Sequence, residues 1–227
     1  MASEDRRARE KVEVQERILD AARELFVSQG FDAVSMRKIA EAIEYTPAAL
    51  YVHFKDKNEL MQEMCRRDFG ALTRETLKLS VVKCPIARIY LCGAGYIRFG
   101  IEHKNHYRMM FMTPHPPELV PSDEDRQKMN DPDQDGYAFF RHTVREAIEQ
   151  RKFRPEYTDA EAVTQTFWAG VHGVTAIEIT HCSDPWLALA PLTARIELIL
   201  DVMLRGMLAD PAELDGMKAA LRKGGML

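Results

Sequence analysis

The stretch YTPAALYVHFKDKNEL, Tyr45 to Leu60, combines a helix start with an outer face of small apolar side chains. Thr46 can cap a helix with its hydroxyl, and Pro47 suits the first helical position, where its missing N–H costs nothing. In the helix so begun, Leu50, Tyr51 and Phe54 fall at i, i+1 and i+4 and are expected to face a core. Ala48, Ala49 and Val52 fall on the other side, apolar yet without a visible partner in this short segment. That face is suited to being covered by something outside the chain.

Upstream, Ser35 can cap a preceding helix whose inner stripe is Met36, Ile39, Ala40 and Ile43, and Glu44-Tyr45-Thr46 turns the chain into the Thr46 helix. Cap, short helix, tight turn and second short helix form the helix-turn-helix layout, in which the second helix enters the DNA major groove. Only short outer residues let a helix sit deep between base edges, and Ala, the Thr methyl and Val can touch thymine methyls. Arg37 and Lys38 open the first of the two helices. Lys55 and Lys57 bracket the exit from the second, so with Tyr51 and His53 they offer donors at both edges of one surface. Residues 1–60 carry ten Lys and Arg against twelve Asp and Glu, so any DNA footprint is local. Arg6, Arg7 and Arg9 read either as a flexible basic arm over residues 1–11 or as an ordinary solvated terminus.

The whole chain is compatible with this. Its 227 residues are 46% hydrophobic, enough for a sizeable core, and the formal charge of −4 excludes bulk attraction to nucleic acid. Cys65, Cys84, Cys92 and Cys182 form no close-spaced framework, which favours reduced, mostly buried thiols. Arg98, Glu178 and Asp201 interrupt the best apolar runs, and the polar start MASEDRRARE lacks a signal-peptide core, so a cytoplasmic protein with no membrane partner is expected.

Helical periodicity continues throughout. A first helix is expected over about residues 12–29, ending at Gly30, and Asp56 with Glu59 resembles a capping box opening a fourth helix that runs to about Ser80. Residues 113–135, rich in Pro and Asp, read as a long surface loop between further helices. The expected fold is all-α: a DNA-binding domain over 1–60, a helical ligand-binding and dimerisation domain over 61–210, and a tail over 211–227.

The segment Glu16 to Leu60 resembles the DNA-binding domain of TetR-type transcriptional regulators across nearly all of it. The resemblance rests on Gly30-Phe31, Ser35-Met36-Arg37-Lys38-Ile39-Ala40 and Leu50-Tyr51-x-His53-Phe54-x-x-Lys57-x-x-Leu60. It implies base-facing roles for Arg37, Thr46, Pro47, Ala48, Ala49 and Val52, and phosphate-facing roles for Ser35, Tyr51, His53 and Lys57, to which position adds Lys55. Glu44 departs from the pattern, standing where the family's turn usually has Gly or another small residue; a left-handed conformation there costs about 1 kcal/mol.

The resemblance further implies a homodimer on a palindromic operator, repression, and release by a small molecule held in the C-terminal domain. Trp168, His172 and Gly173 match the subgroup with a Trp/His/Gly (WHG) motif. Met64, Tyr96, Phe99, Tyr107, Phe111, Phe140, Trp168 and His172 read either as walls of a cavity for an apolar or aromatic ligand or as packed core. In the last long helix Leu192, Ile196, Ile199, Met203 and Met207 form one stripe, widened by Leu200, Leu204 and Leu208. That surplus, with Gly170, Gly173 and Ile177 on the helix before, marks Gly170, Gly173, Ile177, Ile196, Leu200 and Met203 as dimer-interface candidates. His103 with His106, and His181 with Cys182, lack a second matched pair, so no metal or cofactor is expected. Two readings compete with the regulator: a helical-bundle enzyme or carrier that keeps a helix-turn-helix-like head, and a ligand-free architectural DNA binder.

Overall fold

The structure, a computed structural model, describes residues 2–117 and 119–226, with side chains from residue 6 onward. Its α-helices are α1 (Ala2–Gln29), α2 (Met36–Ala42), α3 (Pro47–Tyr51), α4 (Lys57–Leu77), α5 (Pro85–Glu102), α6 (Lys104–Phe111), α7 (Asp123–Lys128), α8 (Gly136–Glu149), α9 (Ala160–His181), α10 (Leu192–Met207) and α11 (Glu213–Lys223). A short 3-10 turn, Lys78–Val81, ends α4 earlier than the expected Ser80. Among the described residues no strand forms, and the fold is all-α as expected.

The chain divides into two compact units, one of residues up to Phe69 with His103–Pro121, the other of Gly70–Glu102 with Ser122 onward. The expected break at residue 60 is therefore displaced into the middle of α4. The physical reason lies in the first unit's core. Ile18, Leu19, Ala22 and Phe26 of α1, Met36, Ile39 and Ala40 of α2, and Leu50 and Phe54 bury their side chains against Leu60, Met61 and Met64 of α4 and Met109 of α6. A unit ending at residue 60 would lack this cover, and small domains are already marginal in buried area. Met64, a pocket candidate by sequence, is fully buried here as a core residue.

A polar bridge runs through the same unit. Arg23 on α1 donates from Nε and Nη2 to the two oxygens of Asp68 on α4, at 3.1 and 2.9 Å, and His106 Nδ1 on α6 lies 2.9 Å from Asp68 Oδ1. Arg23 and Asp68 are both buried. Burial also pushes the thiol of the neighbouring Cys65 up to about 11.

The second unit packs α5, α8, α9, α10 and α11 around Ile89, Tyr90, Ile97, Val144, Phe167, Val171, Leu200 and Leu204. Gly93 is required for the approach of α10 to α5: a Cβ there would stand 2.5 Å from Leu200 Cδ2. The expected tail is helical instead. Leu214 and Leu221 of α11 enter the core, and Lys218 Nζ donates to both oxygens of Asp201 on α10 at 2.8 and 2.9 Å. Leu227 lies outside the described residues.

Three further expectations change. The arm expected over residues 1–11 is helical from Ala2 on, because its Arg, Glu, Ala and Lys are strong helix formers and no Gly or Pro interrupts them; Met1 and the side chains through Asp5 lie outside the described residues. Within 113–135, Ser122 and Asp125 form a capping box that starts α7, and Leu119 packs against the first unit's core; Glu118 lies outside the described residues. All four cysteines are free, and Cys84 and Cys182 are exposed rather than buried.

Candidate nucleic-acid interface

The α2–α3 corner is built by backbone rules. Ser35 Oγ accepts from Lys38 N–H at 3.2 Å and starts α2. The helix ends at Glu44, whose φ of 60° is left-handed, with Tyr45 N–H donating to Ala40 O at 2.9 Å and Glu44 N–H to Glu41 O at 3.2 Å. These are the two bonds of a Schellman ending, so Glu44 occupies the position that favours glycine and carries the local strain while both bonds still form. Arg17 of α1 clamps the corner: its guanidinium lies 5.3 Å from the centroid of the Tyr45 ring and Nη2 donates to Ile43 O at 3.5 Å. Thr46 Oγ1 then accepts from Ala49 N–H at 3.3 Å and starts α3.

On α3, Leu50 and the following Phe54 are buried, while Thr46, Pro47 and Ala48 are exposed, Ala49 half-buried and Val52 76% exposed. The small apolar face expected from sequence is therefore uncovered within the chain. Tyr51 departs from its expected core position and is 55% exposed, because the Leu50–Phe54 edge alone seals this short helix. Arg37 is exposed, with Nε donating to Glu41 Oε1 at 2.8 Å in a surface pair of low stability. Ser35 and Lys55 are exposed, and His53 is half-buried with its Nδ1 enclosed and without a hydrogen-bond partner. Burial, and secondarily the charge of Lys11, hold the His53 pKa below its ordinary value, so the ring is neutral at neutral pH.

Lys57 is placed differently from the other phosphate-facing candidates. Its Nζ donates to Phe31 O at 2.7 Å and Val34 O at 2.9 Å and stands 4.0 Å from the centroid of the Phe31 ring. It braces the α1–α2 loop. Lys38 is similarly occupied, donating to Ala33 O and Gln29 Oε1.

The pocket candidates fall in both units. Met64, Tyr107 and Phe111 belong to the first, where Tyr107 is fully buried and its ring packs 5.0 Å from that of Phe111. In the second unit Tyr96 links to two residues of α9: Trp168 Nε1 donates to Tyr96 Oη at 2.9 Å, and His172 Nδ1 lies 3.4 Å from the same oxygen. Burial lowers the His172 pKa. Phe99 is buried and Phe140 half-buried, its ring 6.3 Å from Phe167. A groove of about 430 Å³ lies elsewhere, along Arg141, Arg145, Ile148 and Glu149 of α8 and the start of α9, and none of the pocket candidates lines it.

The dimer candidates also separate. Leu200 is fully buried in the core, and a Cβ at Gly170 would meet Met203 Sδ at 2.4 Å, so Gly170, Leu200 and Met203 are consumed by packing of α9 on α10. Ile196 is half-buried against the same core. The stripe that suggested a surplus is thus an inner face. Gly173 is open and Ile177 exposed, and they are joined by two residues not anticipated, Leu198 and Val202 of α10, 64% and 59% exposed at i and i+4. The signal for them was their place on the opposite side of the helix from Leu200 and Leu204. The Arg23–Asp68 pair was missed too, although Asp68 sits on the apolar stripe of Met61 and Met64, where an acid requires a buried partner. Among the described residues no group of three His, Cys, Asp or Glu is placed to hold a metal ion, and no helix is long and apolar enough to cross a membrane.

Residues 18–64 match the family model described as bacterial regulatory proteins, tetR family, and residues 89–213 match the tetracyclin repressor-like C-terminal domain. A stretch of 55 residues is similar to the HTH-type transcriptional regulator AcrR of Shigella flexneri, 44% identical over 24% of this chain and 26% of that protein. An HTH-type transcriptional repressor of Mycobacterium tuberculosis, Rv1474c, is 37% identical over 51 residues, 22% of this chain and 27% of its own. The matched segment thus spans about a quarter of these relatives' length. Among solved structures, a TetR family transcription regulator from Marinobacter aquaeolei superimposes with a TM-score of 0.70 at 17% identity, over 90% of this chain and 98% of that one. The ketosteroid transcriptional regulator KstR2 of M. tuberculosis does so with 0.64 at 20%, over 86% and 95%.

Proposed function

The chain belongs to the tetR family of helix-turn-helix, DNA-binding transcription regulators, and from that premise we propose that it is a homodimeric repressor released from a palindromic operator by a small molecule. The family is one of regulators and not of enzymes, which sets the helical-bundle enzyme aside.

The observation that carries the reading is the exposed apolar face of α3. Ala48 and Val52 stand uncovered on a helix whose start, end and preceding turn are each held by specific hydrogen bonds. A face with no side chain longer than Val offers little to solvent and little to a protein partner, yet it matches base edges carrying thymine methyls. Arg37 and Thr46 supply hydrogen-bonding groups on the base side; Ser35, Tyr51, His53 and Lys55 supply the phosphate side. Lys57 supports them by bracing the α1–α2 loop.

Two heads read a palindrome only when joined. Leu198 and Val202 of α10 and Ile177 of α9 are exposed apolar residues on two helices that pack together, with room for a side chain at the half-buried Gly173, and a twofold axis on these helices would bury the same residues on both copies. For the effector, the Tyr96–Trp168–His172 cluster favours an apolar or aromatic molecule with a polar group, consistent with a WHG-type domain. The repressor reading draws on the name of the M. tuberculosis relative. A ligand that prefers one spacing of the two heads would shift operator affinity by its differential affinity for the two states.

The test is selection from a random pool of DNA duplexes by the purified full chain. The proposal expects enrichment of an inverted repeat with half-sites about one helical turn, ~34 Å, apart. Recovery of no sequence preference would return the chain to the architectural reading.

A further inference from the structure

The uninterrupted helix α1 extends well beyond the part that packs. Its buried residues begin at Ile18, yet the helix starts at Ala2, so more than three turns project past the first unit's core. At 100° per residue, Lys11 and Arg7 fall within about 20° of Ile18 around the axis, on the continuation of the stripe that packs against the head. Of the other charges with described side chains, Glu10, Glu13 and Glu16 fall about 80°, 140° and 160° away, Arg6 about 120° and Arg9 about 180°; Glu4 falls about 40° from Ile18, its side chain outside the described residues. Arg6 is paired with Glu10 at 3.4 Å, whereas among the described residues neither Arg7 nor Lys11 has an ion-pair partner, and both are exposed.

The direction of the overhang is given by the contacts of Arg17 and by the charge of Lys11. Arg17 touches the α2–α3 turn through Ile43 and Tyr45. Lys11, about 9 Å of helix rise further out, is close enough to His53 for its charge to depress that ring's pKa. The stripe therefore passes the phosphate-side edge of α3 and continues beyond it. A pair of exposed cations, neither in an ion pair among the described residues, in a chain of net charge −4 at that position has an anionic polymer as its natural partner.

We infer that the N-terminal extension of α1 is a second DNA-contacting element, in which Arg7 and Lys11 hold backbone phosphates flanking the segment read by α3. The contact is with phosphate and carries no base preference, so it lengthens the bound DNA segment and strengthens binding without changing the recognised sequence. This inference rests on the reading of α3 as the groove helix.

The experiment uses the full chain and the duplex it enriches, in two lengths: the inverted repeat alone, and the repeat with about one helical turn (~10 base pairs) added at each end. The Arg7→Ala/Lys11→Ala protein is compared with wild type and with Arg6→Ala/Arg9→Ala, which removes the same charge from the other side of the helix. Alanine is the strongest helix former, so neither variant shortens α1, and circular dichroism checks this. Wild type is expected to bind the longer duplex more tightly, with that advantage abolished in Arg7→Ala/Lys11→Ala and kept in Arg6→Ala/Arg9→Ala. The slope of log affinity against log salt is expected to fall by about 0.9 for each phosphate no longer neutralised, roughly 3 to 4 for two side chains in each of two heads. Equal slopes and an equal preference for the longer duplex in the two double variants would overturn the inference, leaving a solvated charge pattern only. Val52→Asp separates the two levels: if it removes specific binding while Arg7→Ala/Lys11→Ala changes nothing, the extension fails and the α3 reading stands.

Discussion

The ammonium of Lys57 sits 2.7 Å from the carbonyl oxygen of Phe31 and 4.0 Å from the centroid of the same residue's ring. One residue thus receives both a hydrogen bond and a cation–π contact from the first turn of α4, and Val34 O takes a second hydrogen bond at 2.9 Å. Lys57→Ala leaves two partly buried carbonyls without that donor and is expected to lower stability by about 1.5–3 kcal/mol. Its salt slope for DNA binding should stay close to that of wild type, since loss of one phosphate contact in each of two heads would lower it by about 1.8. Chemical denaturation with a salt titration decides: a drop in slope of about 1.8 at wild-type stability would return Lys57 to the phosphates.

Asp68 makes the opposite kind of contribution, since it ties α1 to α4 and α6 from inside the core. Asp68→Ala leaves the buried Arg23 guanidinium only the exposed Asp20, at 2.7 Å, takes away the partner of His106, and is expected to cost about 3 kcal/mol. The Arg23→Met/Asp68→Leu double variant, which removes both charges and keeps volume, should recover most of that deficit. Denaturant midpoints for the three proteins test this, and a double variant no more stable than Asp68→Ala would show that the pair itself stabilises the unit.

Leu200 and Val202 lie two positions apart on α10 and should respond in different ways. Leu200→Ala opens a cavity beside Gly93 and should cost about 2–5 kcal/mol while the folded protein keeps its oligomeric state. Val202→Asp places a charge on an exposed face and, in a symmetric dimer, introduces it twice against its own copy. Sedimentation should therefore find Val202→Asp, and likewise Gly173→Glu, folded and monomeric. A dimer as tight as wild type in both would move the interface away from α9 and α10.

His172 gives a pH dependence of definite sign. Burial lowers its pKa in the folded protein, so the unfolded chain binds the proton more readily. The stabilisation is fully present above the ordinary histidine value of about 6.5 and is lost as pH falls from there towards the lower folded value. Melting temperature should decline over that window, and His172→Gln should flatten the decline. An unchanged profile in His172→Gln would place the titration at other groups, His53 among them.

The helix-turn-helix was legible because its determinants are local. Ser35 and Thr46 cap the next few residues, and Leu50 and Phe54 need only one face to bury, so sequence spacing suffices. What failed depended on partners distant in the chain. Nothing near residue 60 announces that Met61 and Met64 are covered by Met109, and the sealed edge that leaves Tyr51 in water involves α1, α2 and α4 together. Leu200 and Leu198 lie on opposite sides of one helix, and the position of α5 and α9 decides which side is core and which is surface. The extension of α1 is written in strong helix formers, but as a run of charge it does not distinguish Arg6 and Arg9 from the stripe of Arg7 and Lys11 until the helix is seen to be continuous.

The groove-reading role of α3 is tested most directly by the affinity of Val52→Asp for the duplex that wild type enriches. Val52 is 76% exposed, so the substitution should change stability by no more than about 0.5 kcal/mol. Facing base edges and phosphates, the new carboxylate should cost about 3 kcal/mol or more of binding, a weakening of roughly a hundredfold, by fluorescence anisotropy at fixed salt. Wild-type affinity in a folded Val52→Asp protein would contradict the account, because it would remove α3 from the groove.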